Sequence, residues 1–296
     1  MKYLRADLNE KYQRLVKAYP DSPSIAHPLM NTSDVLRAYF ILADYFTDPT
    51  ADSAVEPMLV EVLHMDMLVS ALGRQTSSFM GKIKYRDALH ICATLFYGLV
   101  KNHCFVDGNK RTALLTLLYQ LDCYGYLPTT NTKEFERLTV AVAANTLETQ
   151  YRHQWKKTRE IADITDRRVE TIYRCLKQLC AKKDNSFHID ITARDFIQAM
   201  NSIDGCSCEV EGNKIKVKRV IPRKIWIFNS TPIEKAFTIP YHGATRTIGA
   251  ETARNILVGL ELYEQYPDYR SLIEGNDARY MLIAQFEGPL RRLKDK

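Results

Sequence analysis

The chain has 296 residues, of which 46% are apolar and 26% charged, and it carries a formal net charge of +6. That length and balance suit one large or two ordinary globular domains, and they exclude a disordered or fibrous chain. No run of about 18 apolar residues occurs, and the opening MKYLRADLNEKYQ turns charged at once, so neither a membrane span nor a secretory leader is expected. The seven scattered cysteines then read as reduced thiols of a cytoplasmic protein. Cys206-Ser-Cys208 lacks the spacing and the partner ligands of a zinc site.

In chain order, Ser33 and Asp34 offer a cap to a helix with Leu36, Tyr39, Phe40, Leu42 and Phe46 near helical spacing. Leu59–Leu72 reads as another apolar helix, stopped at Gly73 as a C-cap. Arg74–Tyr85 is polar, has no helical period and turns at Gly81, which fits a short hairpin or exposed flap. Arg86–Asn102 carries a broad apolar stripe through Ala88, Ile91, Leu95, Phe96 and Leu99. Asn109–Cys123 and Thr132–Asn145 follow as helices, the first rich in leucine and stopping before Gly125.

The second half differs. Lys156–Lys183 is rich in Arg and Lys and reads as helical, with Ile164, Val169, Ile172, Leu176 and Leu179 among its apolar positions. Thr192 caps a helix through Met200, and Glu211-Gly212-Asn213 turns into the alternating run Lys214–Lys218, a half-buried strand. A second strand is expected at Lys224–Phe228, with helices at Glu251–Glu264 and Arg279–Leu293. Composition and period shift near 146–158. The expected architecture is therefore a mainly α domain over 1–150, with a β-hairpin flap, and a smaller α+β region over 151–296.

The chemistry concentrates in His103-Cys104-Phe105-Val106-Asp107-Gly108-Asn109-Lys110-Arg111, a turn between two apolar helices. Gly108 and Asn109 tolerate positive φ, which lets successive backbone N–H groups face one concavity. The following helix adds the positive end of its dipole, making an anion site. Arg111 can hold phosphate oxygens in bidentate fashion. Asp107 is the one nearby hard-metal ligand, and Mg²⁺ commonly takes one or two carboxylates plus substrate phosphates. An imidazole at His103 is a side chain of the kind that accepts a hydroxyl proton. Base, metal ligand and oxyanion cradle together suit phosphoryl or nucleotidyl transfer. Each part alone has a plainer reading, as helix cap, helix boundary or surface charge.

These residues resemble the signature of the Fic/Doc (Fido) family, His-x-Phe-x-Asp/Glu-Gly/Ala-Asn-Gly/Lys-Arg, with every defining position filled. The resemblance extends over about Leu59–Asn145, including the flap and the run Gly98–Asn102. It implies a helical bundle that uses ATP and Mg²⁺ to modify a protein hydroxyl. His103 would be the general base, Asp107 the metal ligand, Gly108, Asn109 and Lys110 the phosphate nest, and Arg111 a phosphate contact. The flap residues Thr76, Ser77, Ser78 and Phe79 would align an extended target segment by strand addition.

Members that transfer AMP usually carry Gly where this chain has Lys110, and a second arginine where it has Leu114. Both departures are shared with the Doc (death-on-curing) branch, which implies a kinase toxin acting on a translation factor and controlled by a separate antitoxin. AMP transfer is the alternative. Ser53–Glu56, Ser271–Gly275 and Thr247–Glu251 only approach the Ser/Thr-x-x-x-Glu-Gly/Asn pattern of self-inhibited members, and they read as ordinary sequence. A second alternative makes Arg167, Arg168, Arg174, Lys177, Lys182 and Lys183 a nucleic-acid reader. A third makes the chain an interaction module without activity.

Overall fold

The computed structural model describes residues 4–23, 25, 27–47, 58–79, 81–182, 191–221, 232–263, 266, 272 and 278–294. The chain divides into two compact units, one of Leu4–Lys183 with Leu282–Lys296, the other over Asp184–Met281. No helix among the described residues is long and apolar enough to cross a membrane.

The first unit runs α1 (Ala6–Ala18), α2 (Thr32–Thr47), α3 (Met65–Gly73), a 3-10 turn (Arg74–Thr76), β1 (Ser78–Phe79), β2 (Lys82–Ile83) and α4 (Ala88–Lys101). It continues with α5 (Asn109–Cys123), β3 (Tyr126–Pro128), α6 (Thr132–Ala143), α7 (Leu147–Gln150), α8 (Arg152–Lys156), α9 (Ile164–Leu179) and β4 (Cys180–Lys182). Local chemistry starts several of these helices. Asp87 accepts from the N–H groups of Leu89 and His90 at the head of α4, Asn131 from Lys133 at α6, and Asp163 from Asp166 at α9.

α4 and α5 pack together and are buried on nearly every side, from Cys92 to Val100 and from Arg111 to Leu121. A helix with so little exposed surface sits in the middle of its unit. α2, α6 and α9 surround the pair. Gly98 permits one close approach, since a Cβ there would lie 2.9 Å from Arg74 Cδ and 3.1 Å from Ala71 Cβ. The loop 102–108 therefore emerges at one end of the central pair, held by the two most buried helices of the fold.

The second unit holds β5 (Ile191–Thr192), α10 (Ala193–Asn201), β6 (Cys206–Glu211), β7 (Lys214–Ile221), β8 (Ile233–Pro240), β9 (Thr247–Ile248) and α11 (Ala250–Gly259). β6, β7 and β8 form an antiparallel sheet with Val217 opposite Cys208 on one side and Phe237 on the other. Cys208, Ile215 and Val217 meet Phe196, Met200, Ile256 and Leu257 in one core. Helix α12 (Ala278–Gln285), within which the division falls, leads to α13 (Glu287–Arg292). The mainly α fold with a hairpin and a smaller α+β region stands as expected.

Several boundaries differ from the sequence reading. Only Met65–Gly73 of the expected Leu59–Leu72 helix is helical. The valine-bearing stretch before it runs extended, because its backbone groups bond to the loop after α4 instead of to one another. Gly73 has helical φ/ψ and the chain continues into the 3-10 turn, so it is no C-cap. The basic segment breaks at 157–163 between α8 and α9, where Asp163 starts a new helix. The expected boundary near 150 moves to 183, because α8 and α9 belong to the first unit and α9 packs on α4. Thr247, one of the near-matches to the self-inhibitory pattern, lies in β9 of the second unit, paired with Thr192. The expected strand Lys224–Phe228, the stretch Ser53–Glu56 and, apart from Leu272, the stretch Ser271–Gly275 lie outside the described residues, as does Lys183.

Candidate active site

The loop between α4 and α5 is built by main-chain pairing. Val62 forms an antiparallel bridge with Phe105. The Cys104 carbonyl accepts from Leu63 N at 2.9 Å and His64 N at 3.2 Å, while Val106 N donates to Glu61 O at 3.1 Å. Phe105 is buried, with its ring stacked on Tyr39 at 4.0 Å between centroids. The Tyr39 hydroxyl accepts from Glu61 N at 2.9 Å and lies 3.1 Å from the Leu59 and Glu61 carbonyls. Burial pushes that phenol well above its ordinary pKa, so it stays a neutral hydrogen-bonding group. Burial likewise pushes the Cys104 thiol up to about 11, which leaves it inert as a nucleophile.

Asn109 closes the turn. Its Oδ1 accepts from Phe105 N at 3.0 Å and its Nδ2 donates to Phe105 O at 2.7 Å. The side chain placed in the phosphate nest by resemblance is thus engaged by the loop, and Asn109 can offer a phosphate its backbone N–H. Gly108 stands at φ 84° and ψ 13°, the left-handed region, as the residue before α5. A Cβ there would also lie 2.8 Å from Met58 Sδ. Gly108 brings no capping side chain to α5, and the first internal bond runs from Thr112 N to Gly108 O at 2.8 Å. The earlier N–H groups of that turn have no partner within the helix.

Arg111 is 1% exposed, and Nη2 reaches the Asp107 carboxylate at 3.0 and 3.3 Å. Its guanidinium lies over the Phe46 ring at 5.5 Å, and its buried Nε has no hydrogen-bond partner. A buried guanidinium with an unspent donor near the start of a helix is a fit for phosphate. Asp107 is half-buried and faces that cation. Among the described residues no group of three or more His, Cys, Asp or Glu could hold a metal ion. A cation at Asp107 would therefore draw its remaining ligands from substrate phosphates and water, a donor set that suits Mg²⁺.

His103 follows α4 with φ 48°, exposed, and among the described residues it makes no hydrogen bond or ion pair. Its neighbour Asn102 fastens the loop by donating from Nδ2 to Met67 O at 2.8 Å. Lys110 does not point its ammonium into an open nest, because Nζ donates to the Lys294 carbonyl at 3.1 Å. Leu114 is fully buried.

The flap is a true hairpin, with Ser78 opposite Ile83 and Phe79 opposite Lys82, turning at Gly81 with φ 74°. Two of the four residues expected to dock a target have other local roles. Thr76 lies in the 3-10 turn with its hydroxyl on Gly73 O, and Ser77 Oγ donates to Arg74 O at 3.0 Å. Ser78 and Phe79 form the strand itself. Sequence reasoning missed Gln75 beneath the flap, which is 2% exposed. Its amide bonds to Met30 N and O, Leu72 O and the Gln120 side chain, tying the flap base to α5. It missed Tyr39 as well. Neither has a local signal, since most of their partners are distant in the sequence.

The basic side chains of α9 have partners within their own unit. Arg167 stacks over Trp155 at 4.1 Å and donates to Thr158, Arg168 lies 3.5 Å from the Tyr97 hydroxyl, Arg174 pairs with Glu170 at 2.7 Å, and Lys177 covers Tyr173. This does not resemble a free basic face for nucleic acid.

An exposed histidine beside a left-handed glycine, a carboxylate–guanidinium pair and the start of a helix together suit the handling of phosphate. Residues 29–121 match the family model described as Fic/DOC family. That family is generally one of transferases, of AMP or similar groups, so the match supports a nucleotide-dependent transferase in general. No curated protein and no solved structure matches the chain.

Proposed function

We propose that the first unit transfers the γ-phosphoryl group of ATP to a Ser or Thr hydroxyl of a protein, as a kinase of the Doc kind. The observation that carries the reading is Arg111, buried with an unspent Nε in the first turn of the helix that Gly108 leads into. The main-chain N–H groups of that first turn and Arg111 would receive the phosphates. Mg²⁺ held at Asp107 would neutralise phosphate charge when bound. His103 Nδ1 or Nε2 takes the hydroxyl proton as the hydroxyl oxygen bonds to Pγ. The bond from Pγ to the β–γ bridging oxygen breaks, and ADP leaves with that electron pair.

Leu114 supports phosphoryl over AMP transfer, because the position of the second arginine is filled by a fully buried aliphatic side chain. The proposed target is a cytoplasmic protein of the translation-factor kind, and the proposed control is a separate antitoxin protein. The test is incubation with Mg²⁺, cell extract and ATP labelled at the α or the γ position, comparing wild type with His103→Ala. Label from the γ position is expected to enter a protein with wild type alone, the variant falling by at least about a hundredfold. A target labelled from the α position would replace the kinase reading by AMP transfer. Equal labelling by His103→Ala would remove His103 from the chemistry.

A further inference from the structure

Val62 pairs with Phe105 in the manner that leaves its own N–H and C=O on the opposite edge, since the bonds of the bridge are made by neighbours, Leu63 N to Cys104 O and Val106 N to Glu61 O. Two residues earlier, Val60 shares that edge of the extended chain. Neither valine makes a main-chain hydrogen bond among the described residues. On the far side of the pair, Asn109 takes up both main-chain groups of Phe105, so the valine edge is the open one. It borders a cavity of about 410 Å³, lined also by the buried Phe40 of α2 and by the half-buried Leu15 and exposed Lys11 and Arg14 of α1. Lys11 makes no hydrogen bond or ion pair among the described residues. Arg14 reaches Glu10, one turn back and also exposed, at 3.3 Å, a pair of the kind that contributes little.

We propose that this edge and cavity dock an extended segment of a partner protein, with apolar side chains for the cavity and one carboxylate for Lys11 and Arg14. A sheet edge with unspent donors and acceptors is a template for another strand. Main-chain pairing supplies affinity, and alternate side chains supply selection. Val60 and Val62 are half-buried and line the cavity, so the segment's residues opposite them enter beside Phe40 and Leu15. Glu61 is exposed on the same stretch and disfavours a carboxylate directly across from it. An acidic side chain is therefore held on the α1 side. The docking edge uses none of His103, Asp107 and Arg111, so it does not depend on which group the first unit transfers.

The probe is a set of fluorescent, amidated heptapeptides with Val or Phe at alternate positions. One Glu, Gln or Lys is moved in turn through the positions between, the remainder being Thr. Binding to the full chain is read by fluorescence polarisation without nucleotide. The best peptide with Glu is expected to bind roughly threefold tighter than its Gln counterpart, and tighter still than that with Lys. Lys11→Glu combined with Arg14→Gln, both at exposed positions, should reverse that order, which also places the peptide on α1 and not on the flap. N-methylation of the peptide amides that face Val60 and Val62 should weaken binding by roughly fivefold, and at the positions between by much less. No binding by any peptide, an order of Glu, Gln and Lys that the double variant does not reverse, or equal loss from every N-methylation would each overturn the proposal.

Discussion

At the scale of single residues, Gly108 is the position where backbone and chemistry depend on each other most. Its φ of 84° turns the chain from the loop into α5 without a capping side chain, and Met58 closes the space where a Cβ would go. A left-handed conformation costs an L-residue about 1–2 kcal/mol, and the contact with Met58 Sδ at 2.8 Å adds to it. Gly108→Ala is therefore expected to fold with a melting temperature lowered by several degrees and to lose most group transfer. Thermal melting and the labelling assay check this, and an alanine variant of wild-type activity would show that the left-handed turn is not needed. The glycine, with His103, Asp107 and Arg111, was legible in sequence because its conformational demand and their chemistry reside in residue type. The role of Asn109 was not. Its amide completes the backbone of Phe105 four residues earlier, a closure visible only once the turn is formed.

At the scale of elements, the flap is set by a helix outside the stretch that matches the family. Lys84 Nζ and the Tyr85 hydroxyl, just after β2, both reach Asp166 Oδ1 in the first turn of α9. Four residues further along, Glu170 Oε2 lies 2.7 Å from His90 Nε2, and the His90 ring stacks on Tyr173 at 3.5 Å. Asp166→Ala removes the shared acceptor and leaves the cap at Asp163 in place. Amide exchange over residues 77–85 should then quicken by roughly fivefold, as about 1 kcal/mol of bracing is lost. In the labelling assay the KM for the protein target should rise while that for ATP stays near wild type. Unaltered exchange across the hairpin would show that α9 does not brace it. The sequence marked the flap by its lack of a helical period and its glycine turn, but not this brace, because Lys84 and Asp166 are 82 residues apart. The same reason explains Leu59–His64. Its apolar residues suited a helix locally, and only the paired loop at 104–106 makes an extended form preferable.

At the scale of the molecule, the first unit is discontinuous in sequence, with the second inserted between Lys183 and Leu282. Composition suggested a division near 150, because the basic stretch that follows looks unlike the leucine-rich helices before it. The charges of α9 face solvent or pair locally, however, while Val169, Ile172, Cys175 and Leu176 are buried in the first unit. Amphipathic period, more than composition, carries the information about where a helix belongs. Residues 286–293 complete the same core from the far end, where Phe286 meets Phe135 of α6 edge-on at 5.7 Å. Burying Phe286, Leu290 and Leu293 stabilises the unit by about 1.5–3 kcal/mol each, a sum comparable to the roughly 5–15 kcal/mol that holds a typical domain folded. A chain ending at Lys183 should consequently be unstable or aggregate, since Phe135 and its neighbours on α6 lose their cover. A chain in which Lys183 is joined to Leu282 by a Gly/Ser linker should regain cooperative melting and a monodisperse elution volume. If the chain ending at Lys183 melts as cooperatively as the linked one, residues 282–294 are not part of that core, and the Lys294 contact with Lys110 loses its support as well.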